Sequence, residues 1–156
     1  MGLDMYLNKR SYVQQWDHHE KSHAITVKFD GKARKDIKKN RITYVTEQVM
    51  YWRKANHIHN WFIRRLEAPD NCKPMEISIK DLVALCSDCE KVIDNPEQAS
   101  EILPCASGFF FGSLDYDRFY FSELKQTAKE LKKIIKECYE ARADGHFIDL
   151  YYEASW

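Results

Sequence analysis

Tyr51-Trp52-Arg53-Lys54-Ala55-Asn56-His57-Ile58-His59-Asn60-Trp61-Phe62-Ile63-Arg64-Arg65-Leu66 is the stretch whose reading decides this fold. It holds no Pro or Gly and is rich in helix formers. At about 100° per residue, Tyr51, Ala55, Ile58, Phe62 and Leu66 fall on one side. Trp52, His59 and Ile63 flank them on the same broad apolar face. Arg53, Asn56, His57, Asn60 and Arg64 gather opposite. The spacing predicts one amphipathic helix over 51–66, with indoles and an imidazole turned inward and Arg53 reaching toward water.

Working outward, both flanks read as strands. Before the stretch, Ile42, Thr43, Val45 and Thr46 predict a strand over 41–50. Leu3, Met5 and Leu7 alternate with Asp4, Tyr6 and Asn8, predicting a strand from Met1 to Val13. The segment 14–22 is polar and reads as a loop or hairpin tip. Ile25, Val27 and Phe29 alternate again and run into an Asp30-Gly31 turn. After the stretch, Pro69-Asp70-Asn71-Cys72 supplies turn chemistry. Met75–Ser78 reads as a short extended piece. Ser78 opens a capping box with Asp81, and Ile79, Leu82, Val83, Cys86, Cys89 and Val92 mark the buried face of a helix. Asn95-Pro96 ends it, and Pro96 starts a short helix ending near Leu103. The run Gly108–Gly112 reads as a short buried strand or a clasp over the core. A long helix is expected over 116–142, with Tyr120, Leu124, Thr127, Leu131, Ile134, Ile135 and Cys138 inside and Gly145 as its stop. Phe147–Trp156 reads as a closing strand.

Strands in the first third and the last ten residues, with helices between, predict α+β: a single domain over 1–156, an antiparallel sheet with about three main helices packed on it. At 156 residues one domain suffices, and 44% apolar with 31% charged residues marks a globular chain. The 24 basic and 24 acidic residues cancel. A nucleic-acid role would therefore need a local patch, and the only candidate is 32–41, with Lys32, Arg34, Lys35, Lys38, Lys39 and Arg41 against Asp36. Its simpler reading is a solvated loop. No aromatic residue interleaves with these charges, so nucleic acid is not the favoured partner. The odd count of five cysteines and the absence of a basic-then-apolar leader predict reduced thiols and a cytoplasmic protein. No apolar run reaches the length of a membrane span.

Candidate chemistry is sparse. Cys86 and Cys89 have C-x-x-C spacing but lie on an apolar helix stripe with no second ligand pair, so no metal is expected. His18, His19 and His23 read as surface groups. His57 and His59 diverge on a helix. His57 goes to the polar side, and His59 is either a hydrogen-bonded core histidine or a proton carrier at a pocket edge beside Arg53 and Asn56. Gly112-Ser113 followed by Asp115, Tyr116 and Asp117 could cap the last helix or hold an anion. No motif calls for a cofactor.

The opening Met-Gly-Leu-Asp-Met-Tyr-Leu, the segment from Tyr51 through Ile58-His59 to Trp61-Phe62, Asp70-Asn71-Cys72, Gly108–Ser113 with Tyr116-Asp117, and the ending Tyr151-Tyr152-x-x-Ser155-Trp156 resemble a family of small bacteriophage and prophage proteins without an established activity. The resemblance implies a host-cell cytoplasmic protein that acts by binding, as a host-factor inhibitor, an anti-defence protein or a ligand-sequestering protein. Its partner would be a host protein or a nucleotide-like small molecule. The alternative is an enzyme on a small phosphorylated or nucleotide substrate, with His59 as acid/base and Arg53 as anion clamp. The residues expected to meet ligand or partner are Trp52, Arg53, Asn56, His59, Ser113, Tyr116 and Trp156.

Overall fold

The structure, a computed structural model, describes residues 2–16, 18 and 25–156. The chain is α+β. Strand β1 (Asp4–Tyr12) pairs antiparallel with β4 (Tyr44–Arg53) on one side and β6 (Ile148–Ser155) on the other; β5 (Met75–Ile77) lies outside β6. The four-stranded order is β4-β1-β6-β5, all antiparallel. A small hairpin, β2 (Lys28–Phe29) and β3 (Lys32–Ala33), turns through Asp30-Gly31 as the sequence predicts. Ile25–Val27, expected to lengthen that strand, is not extended into a ladder.

Alternation decides which face of the sheet is dry. Met5 and Leu7 of β1, Met50 and Trp52 of β4, and Ile148, Leu150, Tyr152 and Ala154 of β6 are buried. Their neighbours Tyr6, Tyr51 and Tyr151 point the other way. A β-bulge at Val49 shifts the β1–β4 register between Leu7 and Asn8. The bulge absorbs one residue, so Tyr44, Thr46 and Gln48 share the outer face with Tyr51 and Arg53.

Helices α1 (Asn56–Leu66), α2 (Ile79–Asp94) and α4 (Arg118–Ala143) are the long ones; α3 (Ala99–Ile102) is a single turn following a 3-10 turn at Pro96–Gln98. The capping box is formed as expected: the Ser78 hydroxyl accepts from Asp81 N–H, and the Asp81 carboxylate accepts from Ser78 N–H. The helix buries Ile79, Leu82, Leu85, Cys86, Cys89 and Val92, but Val83, expected on that face, is exposed. On α4 the expected stripe is buried, with Ile135 only partly so. The core meets at α1 and the sheet, where Phe62 stacks on Tyr152 with centroids 3.9 Å apart, and Trp52 packs edgewise on both. Burying aromatic groups this size stabilises the fold by about 2–3 kcal/mol each.

The 51–66 stretch is not one rod. Residues 51–53 finish β4, Lys54 turns the chain with φ 58°, and helix begins only at Asn56. The apolar pattern there has two periods: Met50 and Trp52 against Tyr51 and Arg53 is a period of two, and the period of 3.6 starts after it. A second correction concerns the polar face of α1. Asn56 and His57 are buried and Asn60 half-buried, because the segment 102–117 covers the two asparagines and Tyr120 of α4 packs on His57. The Asn60 amide donates to Pro104 O, and Arg64 donates to Ile102 O. That segment also differs from the expected buried strand: Gly108–Phe111 is a turn with Phe109 and Phe110 exposed and only Phe111 buried. Among the described residues, no helix is long and apolar enough to cross a membrane.

Candidate functional site

The junction between β4 and α1 creates a cleft of about 560 Å³. Its floor is Arg53–His57, its far wall is the first turns of α4, and its rim is the loop at Gly112–Ser113. Lys54 adopts the left-handed conformation, and its N–H donates to Leu3 O at 2.7 Å, tying the junction to the start of β1. Gly112, at φ 94°, lies against Lys54; a Cβ there would come within 3.1 Å of Lys54 Cβ and 3.3 Å of its carbonyl oxygen. Only glycine meets both demands.

Asn56 holds the rim. Its Nδ2 donates to Phe111 O at 3.1 Å and Ser113 O at 2.8 Å, and its Oδ1 accepts from Ala106 N–H at 3.1 Å. Tyr116 OH accepts from Cys105 N–H, and Tyr120 OH donates to Leu103 O. Asp117 caps α4, taking Phe119 N–H and Tyr120 N–H. By contrast α1 has no side-chain cap: Ala55 occupies the N-cap, and the N–H groups of Asn56 and His57 have no partner inside the helix.

His57 is the residue whose importance sequence reasoning missed. It is 5% exposed, its ring lies 4.4 Å from that of Tyr120, and its Nε2 is buried without a hydrogen-bond partner. Burial pushes its pKa down from 6.5 to about 4, so it is neutral at pH 7. Glu123, on the α4 wall, has its carboxyl pKa raised by burial. Among the described residues Glu123 and Lys54 have no ion-pair partner, and Arg53 has only Asp4, at 3.9 Å. Cations thus lie on the strand side of the cleft, and Asp115, Asp117 and Glu123 on the helix side. Phe119, exposed at the mouth, adds an aromatic ring with the Arg118 guanidinium carbon 4.8 Å from its centroid.

Of the seven expected residues, Arg53, Asn56 and Ser113 come together here. Tyr116 stands behind the rim, packed on Tyr120. Trp52 is buried in the core with its Nε1–H donating to Thr127 Oγ1 at 2.9 Å, so it offers no surface to a ligand. His59 is also core. Its Nε2 lies 3.0 Å from Asp70 Oδ1, and its Nδ1 2.7 Å from the Tyr152 hydroxyl. Since a carboxylate only accepts, Nε2–H donates to Asp70 and Nδ1 accepts from Tyr152. With both nitrogens used and the ring 2% exposed, His59 is a structural pin between α1, β6 and the 67–74 turn. Trp156 packs over His59 and Phe111, away from the cleft. His57 was legible only as part of a helix, because the ring it packs on, Tyr120 of α4, lies some sixty positions further along the chain.

Cys86 and Cys89 are buried thiols, and burial raises the pKa of both. His18 is exposed, whereas His19 and His23 lie outside the described residues. No group of three His, Cys, Asp or Glu among the described residues could hold a metal ion. Comparison with known proteins brings no significant match among family models, curated proteins or solved structures.

Proposed function

We propose that this chain acts by binding, and that it takes a small, anionic, nucleotide-like ligand in the cleft at the start of α1. In that role it would sequester a signal or block a host factor, as its resemblance to phage proteins implies. The observation that carries the reading is that Arg53 and Lys54 line the strand side of a cleft whose floor holds an uncapped helix N-terminus and an unpartnered His57 nitrogen. A phosphate would take the cations and the first amides of α1. A base bearing N–H donors would face the carboxylates of the α4 wall and lie on Phe119.

The test is thermal denaturation of the purified chain against nucleoside mono- and diphosphates, with inorganic phosphate and unphosphorylated nucleosides as controls. A nucleotide at about 100 times its Kd stabilises a folded chain by about 2.7 kcal/mol. Arg53→Ala should abolish that gain while leaving the ligand-free protein as stable as before, because Arg53 is exposed. Absence of any nucleotide effect, or a gain that survives Arg53→Ala with Lys54→Ala, rejects the reading.

A second reading, an enzyme on the same ligand class, is favoured by one observation: Glu123 keeps its proton to a higher pH than an ordinary carboxyl. Glu123→Gln would then remove turnover of a bound nucleotide and leave its binding intact. Neither reading uses His59 as acid or base, because its ring is buried and both nitrogens are hydrogen-bonded.

A further inference from the structure

The open face of the sheet, turned away from the helices, is not an ordinary polar surface. Tyr6, Tyr12, Tyr44, Tyr51 and Tyr151 all project from it, with Tyr44 41% and Tyr51 46% exposed. They pair across strands: Tyr6 with Tyr51 at 5.5 Å and Tyr12 with Tyr44 at 5.3 Å between centroids. Arg10 lies between two of them, its guanidinium carbon 4.3 Å from the Tyr44 centroid and 4.6 Å from that of Tyr151. Asp149 and the Tyr151 hydroxyl accept from Arg10 and hold it flat.

The fold brings the charge run to the same end of this face. Tyr12 and Tyr44 are the last pair of the β1–β4 ladder, and Val13 N–H donates to Thr43 O just beyond it. The 3-10 turn Lys39–Arg41 immediately precedes Ile42 and Thr43. Lys32, Arg34, Lys35, Lys38, Lys39 and Arg41 are all exposed, and among the described residues only Arg34 is ion-paired, with Asp36. Asp4 and Glu153 lie toward the opposite end of the face, and Glu47 is on the inner side, paired with Lys9. A chain with no net charge therefore carries a cationic loop beside an aromatic surface.

We propose that the Tyr12–Tyr44 end of the open sheet face, with the loop over 32–41, is a binding platform for single-stranded nucleic acid. Rings that interleave with the charges are missing along the sequence; the sheet supplies them in space. Unpaired bases would lie on Tyr44 and its neighbours, and phosphates would track the loop cations. A duplex would hide its base faces from such a platform. This platform is separate from the cleft: the ten residues of β4 between Tyr44 and Arg53 put about 30 Å between them.

Fluorescence anisotropy with labelled oligo(dT), labelled oligo(U) and a labelled duplex tests it. Either single strand should bind well above the duplex, and the ratio of U to dT shows whether the 2′-hydroxyl is read. Raising NaCl from about 50 to about 200 mM should weaken binding roughly 10- to 100-fold. Tyr44→Ala should weaken it on the order of tenfold, and Tyr44→Phe should restore most of the loss. Lys38→Glu with Lys39→Glu should weaken it further, while the same charge change at Lys125 and Lys129 on α4 should not. Arg53→Ala should leave it unchanged, which separates this platform from the cleft. Equal affinity for duplex, no binding by either single strand, or binding indifferent to Tyr44→Ala in a protein of unaltered thermal stability overturns the proposal.

Discussion

Replacing His57 by Phe should remove a specific portion of this protein's acid sensitivity. The imidazole is buried and neutral, with its pKa lowered from 6.5 to about 4. In the unfolded chain it returns to its ordinary value. Between those two values the unfolded state binds more protons than the folded state, so stability falls as pH drops through that window and is restored as pH rises above it. With these two values the loss between about pH 7.5 and about pH 5 is about 2 kcal/mol, approaching about 3 kcal/mol below pH 4. For a domain of this length about 2 kcal/mol corresponds to a lowering of Tm by about 4–8 °C. Glu123 works in the opposite direction: its raised pKa means the folded state holds a proton that the unfolded state releases. Both variants keep Glu123 and every other carboxylate, so those contributions cancel in the comparison. The assay is urea denaturation of wild type and His57→Phe at several pH values in that window. The wild-type curve should be steeper by about 2 kcal/mol, and the variant should lose little at neutral pH because it leaves no orphaned nitrogen behind. Parallel curves, or an NMR titration giving His57 an ordinary imidazole pKa, would refute the reasoning.

Three further outcomes follow from the contacts. Trp52→Phe leaves the Thr127 hydroxyl buried without its donor and should cost about 1–3 kcal/mol in chemical denaturation; adding Thr127→Val should recover part of that loss. Asn56→Ala removes all three bonds that hold the rim, so amide exchange at Ala106 and across the loop to Ser113 should accelerate well before global unfolding, by at least the roughly tenfold that about 1.4 kcal/mol allows. Gly112→Ala sets a Cβ against Lys54 at a positive φ and should lower stability by about 1–2 kcal/mol, whereas Gly31→Ala, also at positive φ but in open space, should lose only the conformational part; paired Tm measurements decide it.

The strands β1 and β6 were legible because half-buried strands alternate, and Ile148, Leu150 and Tyr152 alternate without interruption. The Ser78–Asp81 box was legible because its chemistry is local. The junction at Lys54 was not. A lysine in the left-handed region carries no sequence signal, and Trp52 and Ala55 satisfy a helical stripe as readily as the end of a strand. The site shared that difficulty. Arg53, Asn56 and Ser113 were found, but for a geometry that the chain does not adopt, and Asn56 serves the rim as a bracket. His57 and Glu123 escaped notice because each acquires its character from a segment distant in sequence. The tyrosines of the outer face were visible one by one, but their gathering beside the basic run depends on strand order and on the bulge at Val49.

The pairing of the first long strand with the last has a consequence for how the molecule comes into being. Arg10 and Asp149 touch across 139 positions of chain. During synthesis β1 can reach β4 early, but its other edge must wait until Ile148–Ser155 has left the ribosome. Until then Met5 and Leu7 sit beside an open ladder, where a neighbouring nascent chain can add a strand. Slow, late closure of this kind makes the yield of folded protein sensitive to expression rate, and losing Ile148–Ser155 would expose the middle of the sheet rather than trim its margin.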